Sequence, residues 1–216
     1  MKKNEIIEHI KKIGLIPVVR VETSELAIRA IDAIVKGGIN ILEIPMTVQG
    51  AVGVIEGVVK THGDNVLVGV GTVLDPETAR TCILAGAQFI ISPSFNAETV
   101  ALCRRYSVPV LPGALTPTEV INAWQAGADM VKIFPCSAVG GASYIKLLKG
   151  PLPQIELIPT GGILMDTAAD FLKAGAAAVG IGTDLVDVKA IRDGNDDLIT
   201  QRARAYVDIV KKVRSS

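Results

Sequence analysis

A (β/α)8 barrel is the fold class this sequence predicts, and three observations predict it. The first is a recurring phrase in which a helix ends on small residues and an extended apolar run begins. It occurs as Lys36-Gly37-Gly38 before Ile-Asn-Ile-Leu-Glu-Ile, Ala85-Gly86-Ala87 before Gln-Phe-Ile-Ile, Ala126-Gly127-Ala128 before Asp-Met-Val-Lys-Ile-Phe, and Ala174-Gly175-Ala176 before Ala-Ala-Val-Gly-Ile. Glycine there admits the left-handed cap of a helix, and the small neighbours let that helix pack closely on the next strand. The second is spacing: each interval holds two βα units, with intervening strands at residues 66–70, 108–111 and 155–158 and a first strand at 16–19, which brings the count to eight. The third is composition, 49% hydrophobic but only 4% aromatic, so the core rests on Ile, Val, Leu and Ala, the filling of parallel strands covered on both faces. An open parallel sheet is the competing architecture, and it requires a crossover reversal that the even alternation does not contain. The length of 216 residues, with no linker, suits a single barrel domain over 1–216.

The elements follow in order. Ile6, Ile7, Ile10 and Ile13 share one helical face, so a helix ahead of the first strand covers the amino end of the barrel. Asp75-Pro76 has the form of an N-cap followed by proline at the first helical position, and Thr116-Pro117-Thr118-Glu119 has the spacing of a capping box. Residues 195–213 read as a final helix. The 22 basic and 22 acidic residues cancel. That balance leaves no electrostatic footprint for nucleic acid or an anionic membrane, and a small-molecule partner is expected. Three widely spaced cysteines argue against a disulfide framework or a closed zinc site. No apolar run is long enough to span a bilayer, so a soluble, cytoplasmic protein is expected.

In such a barrel the reactive side chains stand at the carboxyl ends of the strands. Here those ends read Arg20, Glu43, Thr72, Ser92-Pro93, Pro112-Gly113, Lys132, Thr160-Gly161-Gly162 and Gly182-Thr183. Lys132 lies in the apolar run Met130-Val131-Lys132-Ile133-Phe134, where pleating points it with Met130 and Phe134. Apolar surroundings favour the neutral form of an amine, the form that attacks a carbonyl to give a Schiff base. The alternative is a lysine whose stem runs along the strand to water. Glu43 ends an otherwise uncharged run and reads either as a buried ion-pair partner of Lys132 or as a general acid/base working through a bound water. The two roles are compatible. The glycines of Thr160-Gly161-Gly162 and Gly180-Ile181-Gly182-Thr183 let backbone N–H groups approach a phosphate between the last two strands. Gly69-Val70-Gly71 lacks the rest of a dinucleotide fingerprint and reads as a strand ending in a tight turn, so neither a nicotinamide nor a flavin is expected. His9 and His62 are expected to be surface or packing residues, and Cys136, with nothing near it to activate it, a small apolar one.

Leu42-Glu43-Ile44, Val70-Gly71-Thr72-Val73, Ile91-Ser92-Pro93, Leu111-Pro112-Gly113, Lys132-Ile133-Phe134-Pro135, Gly140-Gly141, Lys149-Gly150-Pro151 and Pro159-Thr160-Gly161-Gly162 together resemble the bacterial KDPG/KHG aldolases, in order and spacing. The resemblance implies a class I aldolase acting on 2-keto-3-deoxy-6-phosphogluconate or 4-hydroxy-2-oxoglutarate, with Lys132 as the Schiff-base residue toward pyruvate and Glu43 as acid/base. It implies that Thr72, Pro93, Phe134 and Thr160 line a pyruvate pocket, that Gly161, Gly162, Gly182 and Thr183 hold phosphate, that neither metal nor cofactor is used, and that the protein is a homotrimer. Many members carry an arginine where this chain has Thr47, a group that donates a hydrogen bond but no charge. Carboxylate recognition is therefore expected to rest on Thr47, Thr72 and Arg20. Ser94, where glycine is common, is expected to narrow the mouth of the site. Two other functions stay open on the barrel and phosphate loops alone: a phosphosugar isomerase or epimerase using Glu43 for proton transfer, and a non-catalytic binder of phosphorylated sugars.

Overall fold

The computed structural model describes residues 1–215. In chain order the elements are α1 (Lys3–Ile13), β1 (Leu15–Pro17), α2 (Ser24–Lys36), β2 (Ile41–Pro45), α3 (Ala51–His62), β3 (Leu67–Gly71), α4 (Pro76–Leu84), β4 (Phe89–Ile91) and α5 (Ala97–Arg105). They continue with β5 (Val110–Leu111), β6 (Gly113–Ala114), α6 (Pro117–Gln125), β7 (Val131–Ile133), α7 (Gly141–Lys149), β8 (Leu157–Pro159), α8 (Ala168–Lys173), β9 (Val179–Ile181), α9 (Val188–Arg192) and α10 (Asp196–Arg214).

The strands form a closed parallel ring. β2, β3, β4 and β5 pair in sequence, β6, β7 and β8 likewise, and β9 pairs back onto β1. Single bridges between Val18 and Glu43 and between Thr160 and Gly180 complete the circuit. The fifth strand, expected at 108–111, is confined to β5 and resumes beyond its expected end as β6, the two separated by Pro112, which has no N–H to donate to β4 but whose carbonyl accepts from the Lys132 N–H at 2.9 Å. The architecture is thus the barrel and not the open sheet, with eight strand positions and the fifth handed over at a proline.

The local signals act as their chemistry requires. Gly38, Gly86, Gly127 and Gly175, one in each recurring phrase, all take positive φ just after their helices. Asp75 accepts from the Thr78 N–H at 2.6 Å, and Thr116 and Glu119 form the reciprocal capping box of α6. Ile6 and Ile10 of α1 are buried, with Ile7 and Ile13 packed partly against the same core. That core is one continuous aliphatic cluster running from α1 to α10. The short helix α9 was not anticipated from the sequence; Asp187 caps it through the Ala190 N–H. Among the described residues no helix is long and apolar enough to cross a membrane.

Candidate active site

β2 and β7 face each other across the barrel, and each sends one ionisable side chain inward. Glu43 is 2% and Lys132 6% exposed. Lys132 Nζ lies 4.0 Å from Glu43 Oε2 and 5.3 Å from the centroid of the Phe134 ring. The parity expected for Lys132 and Phe134 therefore holds, and the amine does not run out to water. At 4.0 Å the charges attract, but the separation exceeds direct hydrogen bonding. Among the described residues neither Glu43 Oε1 nor the buried Ser92 hydroxyl has a hydrogen-bond partner. A pair kept only for stability would need its remaining lone pairs satisfied; this one leaves an acceptor aimed into the interior.

Above the pair, at the carboxyl end of the strands, is a cavity of about 220 Å³. Of the residues anticipated from sequence, Arg20, Thr72, Pro93, Lys132, Phe134, Thr160, Gly161, Gly162, Gly182 and Thr183 all line it. Thr47 does not. It is exposed in the turn after β2, where the Val48 N–H bonds the Pro45 carbonyl and carries the chain away from the barrel axis. Ser94 is also elsewhere, in a separate recess with Phe95, Leu115 and Glu119 on the far side of Pro93 and Phe134. Thr72 holds φ of 57°, a strained conformation for a β-branched residue, costing about 1–3 kcal/mol, of the kind that collects at functional sites.

The loop after β8 is held from its carbonyl side. The carbonyls of Gly161 and Gly162 accept from the Ser137 N–H at 3.2 Å and the Ser137 hydroxyl at 2.9 Å, respectively. The Gly161 N–H faces the Gly180 carbonyl in the bridge that closes the ring, whereas among the described residues nothing accepts from the Gly162 N–H. Ser137 had no motif to announce it. Nor did Asp184, which lines the cavity beyond Thr183. Its Oδ2 accepts from the Met165 N–H at 3.2 Å and from the hydroxyl of Tyr206, tying the loops after β8 and β9 to α10. Burial and then the Asp184 hydrogen bond push the Tyr206 phenol up, so it stays a donor.

The remaining candidates behave as packing residues. His9 and His62 bond Asn40 and Asp32, each at 3.1 Å. Burial raises the Cys136 thiol to about 11, and its sulfur faces the Gly141 carbonyl outside the cavity. Among the described residues no group of three His, Cys, Asp or Glu side chains is gathered to hold a metal.

With this geometry described, the comparisons with known proteins become specific. The profile of the family described as KDPG and KHG aldolase matches residues 6–202. A 2-dehydro-3-deoxy-6-phosphogalactonate aldolase of Escherichia coli K12 is 37% identical over 81% of this chain and 85% of its own. A 2-dehydro-3-deoxy-phosphogluconate aldolase of Treponema pallidum is 33% identical over 95% of this chain and 97% of its own. Among solved structures, a KDPG aldolase from Legionella pneumophila, with pyruvate captured at low pH as a covalent carbinolamine, superposes with a TM-score of 0.85. It is 31% identical, over 92% of this chain and 96% of that one. These likenesses, rather than the barrel alone, decide against an isomerase or a passive binder: the chain belongs to the KDPG and KHG aldolase family, and it is an aldolase, a carbon–carbon lyase.

Proposed function

We propose that the chain is a class I aldolase that reversibly cleaves a 2-keto-3-deoxy-6-phospho sugar acid to pyruvate and glyceraldehyde 3-phosphate. Lys132 Nζ adds to the C2 carbonyl, and loss of water from the carbinolamine gives a protonated imine. The C3–C4 bond then breaks, its electron pair moving into the iminium to form an enamine, while the C4 hydroxyl loses its proton to Glu43 through a bridging water. The aldehyde leaves. Glu43 returns a proton to C3, and hydrolysis of the pyruvate imine frees the amine. No cofactor enters this cycle.

The observation that carries the reading is the buried amine of Lys132, 4.0 Å from a carboxylate whose other oxygen has no partner. The covalent carbinolamine of the Legionella relative supports it. For the far end of the substrate, support comes from the unengaged N–H group of Gly162 and the glycine backbone at Gly161, beside Gly182 and Thr183. Arg20 brings positive charge to the same cavity and Thr72 a hydroxyl for the keto-acid carboxylate. A homotrimer is proposed as the assembly, to be checked as a solution mass three times that of the chain.

Cleavage of 4-hydroxy-2-oxoglutarate to pyruvate and glyoxylate is proposed as a slower second reaction, since that substrate brings no phosphate to the glycine loops. Pyruvate release is expected to give a higher kcat/KM for the phosphorylated six-carbon acid than for its unphosphorylated analogue or for 4-hydroxy-2-oxoglutarate. The reverse order would overturn the phosphate assignment and leave the imine chemistry standing.

A further inference from the structure

Gly69-Val70-Gly71 resembles half of a nucleotide-binding motif, but it is strand β3, and neither glycine has positive φ. Backbone conformation therefore does not demand glycine at these positions; space does. A Cβ on residue 69 would lie 2.1 Å from the Phe89 ring. A Cβ on residue 71 would lie 1.7 Å from Glu43 Oε1, 2.3 Å from Cδ and 2.7 Å from Cγ. In the ladder Glu43 is paired with Gly69 and Pro45 with Gly71, so the Glu43 side chain leans one pleat toward the carboxyl end of the barrel and its carboxylate occupies the place of the missing side chain.

We infer that Gly71 is a positioning residue for the reaction: the empty place on β3 sets the Glu43 carboxylate within 4.0 Å of the Lys132 amine. The inference rests on the proposed reading of Glu43 as proton carrier. Any methyl at residue 71 collides with three consecutive Glu43 atoms, not with a chain tip alone. β3 is held on both sides, by β2 and β4, whereas Oε1 has no partner to hold it. The carboxylate therefore yields before the strand does. The fold survives, and the base moves off the amine.

The test is a double-mutant cycle read by exchange of the pyruvate methyl protons in D2O. Borohydride trapping of pyruvate on Lys132 serves as the readout a general packing defect would also move. Gly71→Ala is expected to slow exchange by about 10²-fold or more, the size of a lost general acid/base, with trapping on Lys132 retained. Glu43→Ala should slow it similarly. The double variant should be no slower than Glu43→Ala, because removing the carboxylate removes both the collision and the group it displaces. If Gly71→Ala fails to fold, the double variant decides: folding with the Glu43→Ala rate supports the inference, and failure to fold overturns it. Exchange in Gly71→Ala within about threefold of wild type, with Glu43→Ala impaired, overturns the inference while sparing Glu43. Wild-type exchange in Glu43→Ala removes the proton carrier and the inference with it.

Discussion

The two ends of the barrel carry cavities of opposite character. At the amino end a groove of about 760 Å³ runs between the end of α1, Gly37-Gly38 and the last turns of α10, lined by Lys12, Arg204, Asp208, Lys211 and Arg214 among others. At the carboxyl end the cavity is about 220 Å³, yet it holds the buried amine, with a carboxylate behind it whose Oε1 has no partner among the described residues, strained Thr72 and the unengaged Gly162 N–H. In the larger space the charged side chains are exposed, where water screens them, and they alternate with Ile13, Val207 and Val210 and the backbone of Gly37-Gly38. The smaller holds a buried, incompletely satisfied ion pair and a strained threonine, arrangements that cost stability. The proposed chemistry is placed by that cost, not by size.

Substitutions can break or sharpen this contrast. The largest effect is expected at the bottom of the small cavity, where Glu43→Gln keeps shape but removes the proton carrier. Pyruvate proton exchange should fall by about 10²-fold or more and should persist in EDTA in the wild type. A near-normal rate in the variant would take Glu43 out of its role, and exchange lost in EDTA but restored by zinc would replace the iminium with a metal as electron sink. Next comes the rim. Val at position 162 collides with Ser137, whose Oγ and Cβ lie 2.6 and 2.7 Å from a built Cβ. Gly162→Val should therefore depress cleavage of the phosphorylated acid much more than pyruvate exchange. An equal fall in both would make the glycine a support of the barrel rather than a reader of the substrate.

At the amino end the Arg214 guanidinium donates to the carbonyls of Lys11 and Lys12 at the close of α1. Arg214→Ala should lower stability by about 1 kcal/mol, a fall in Tm of about 2–4 °C for a chain of this size, with exchange unchanged. A loss of activity there would abolish the functional difference between the ends. Smallest is the effect of thiol reagents. With Cys136 raised to about 11 by burial, the thiol stays protonated and unreactive at neutral pH and becomes a thiolate only as the pH rises toward that value. Iodoacetamide at pH 7 should leave activity intact, and rapid inactivation through Cys136 would contradict its assignment as a packing residue.

Periodicity and cap chemistry made the barrel legible because they are local: α1, the Asp75 and Thr116 caps and the four glycine phrases depend on neighbours within a few residues. Strand ends were less legible, since a strand stops where its partner does. The break at Pro112 is visible only once β4 is known to pair with β5 before it and β7 with β6 after it. The buried pair of Lys132 and Glu43 could be read because charge in an apolar run is conspicuous. Ser137, Asp184 and Tyr206 could not, since each acts through hydrogen bonds to residues distant in sequence. Thr47 misled for the same reason: its distance from Glu43 along the chain is short, but the turn at Pro45–Val48 takes it out of the cavity.

The central claim is that Lys132 forms a covalent imine with the keto acid. Incubation with pyruvate and borohydride, followed by peptide mapping, tests it most directly, because reduction converts the imine to a stable secondary amine. The account predicts irreversible inactivation with the added mass on the peptide containing Lys132 and no labelling in Lys132→Ala. Unlabelled, active protein after treatment, or a label on another lysine, would contradict it.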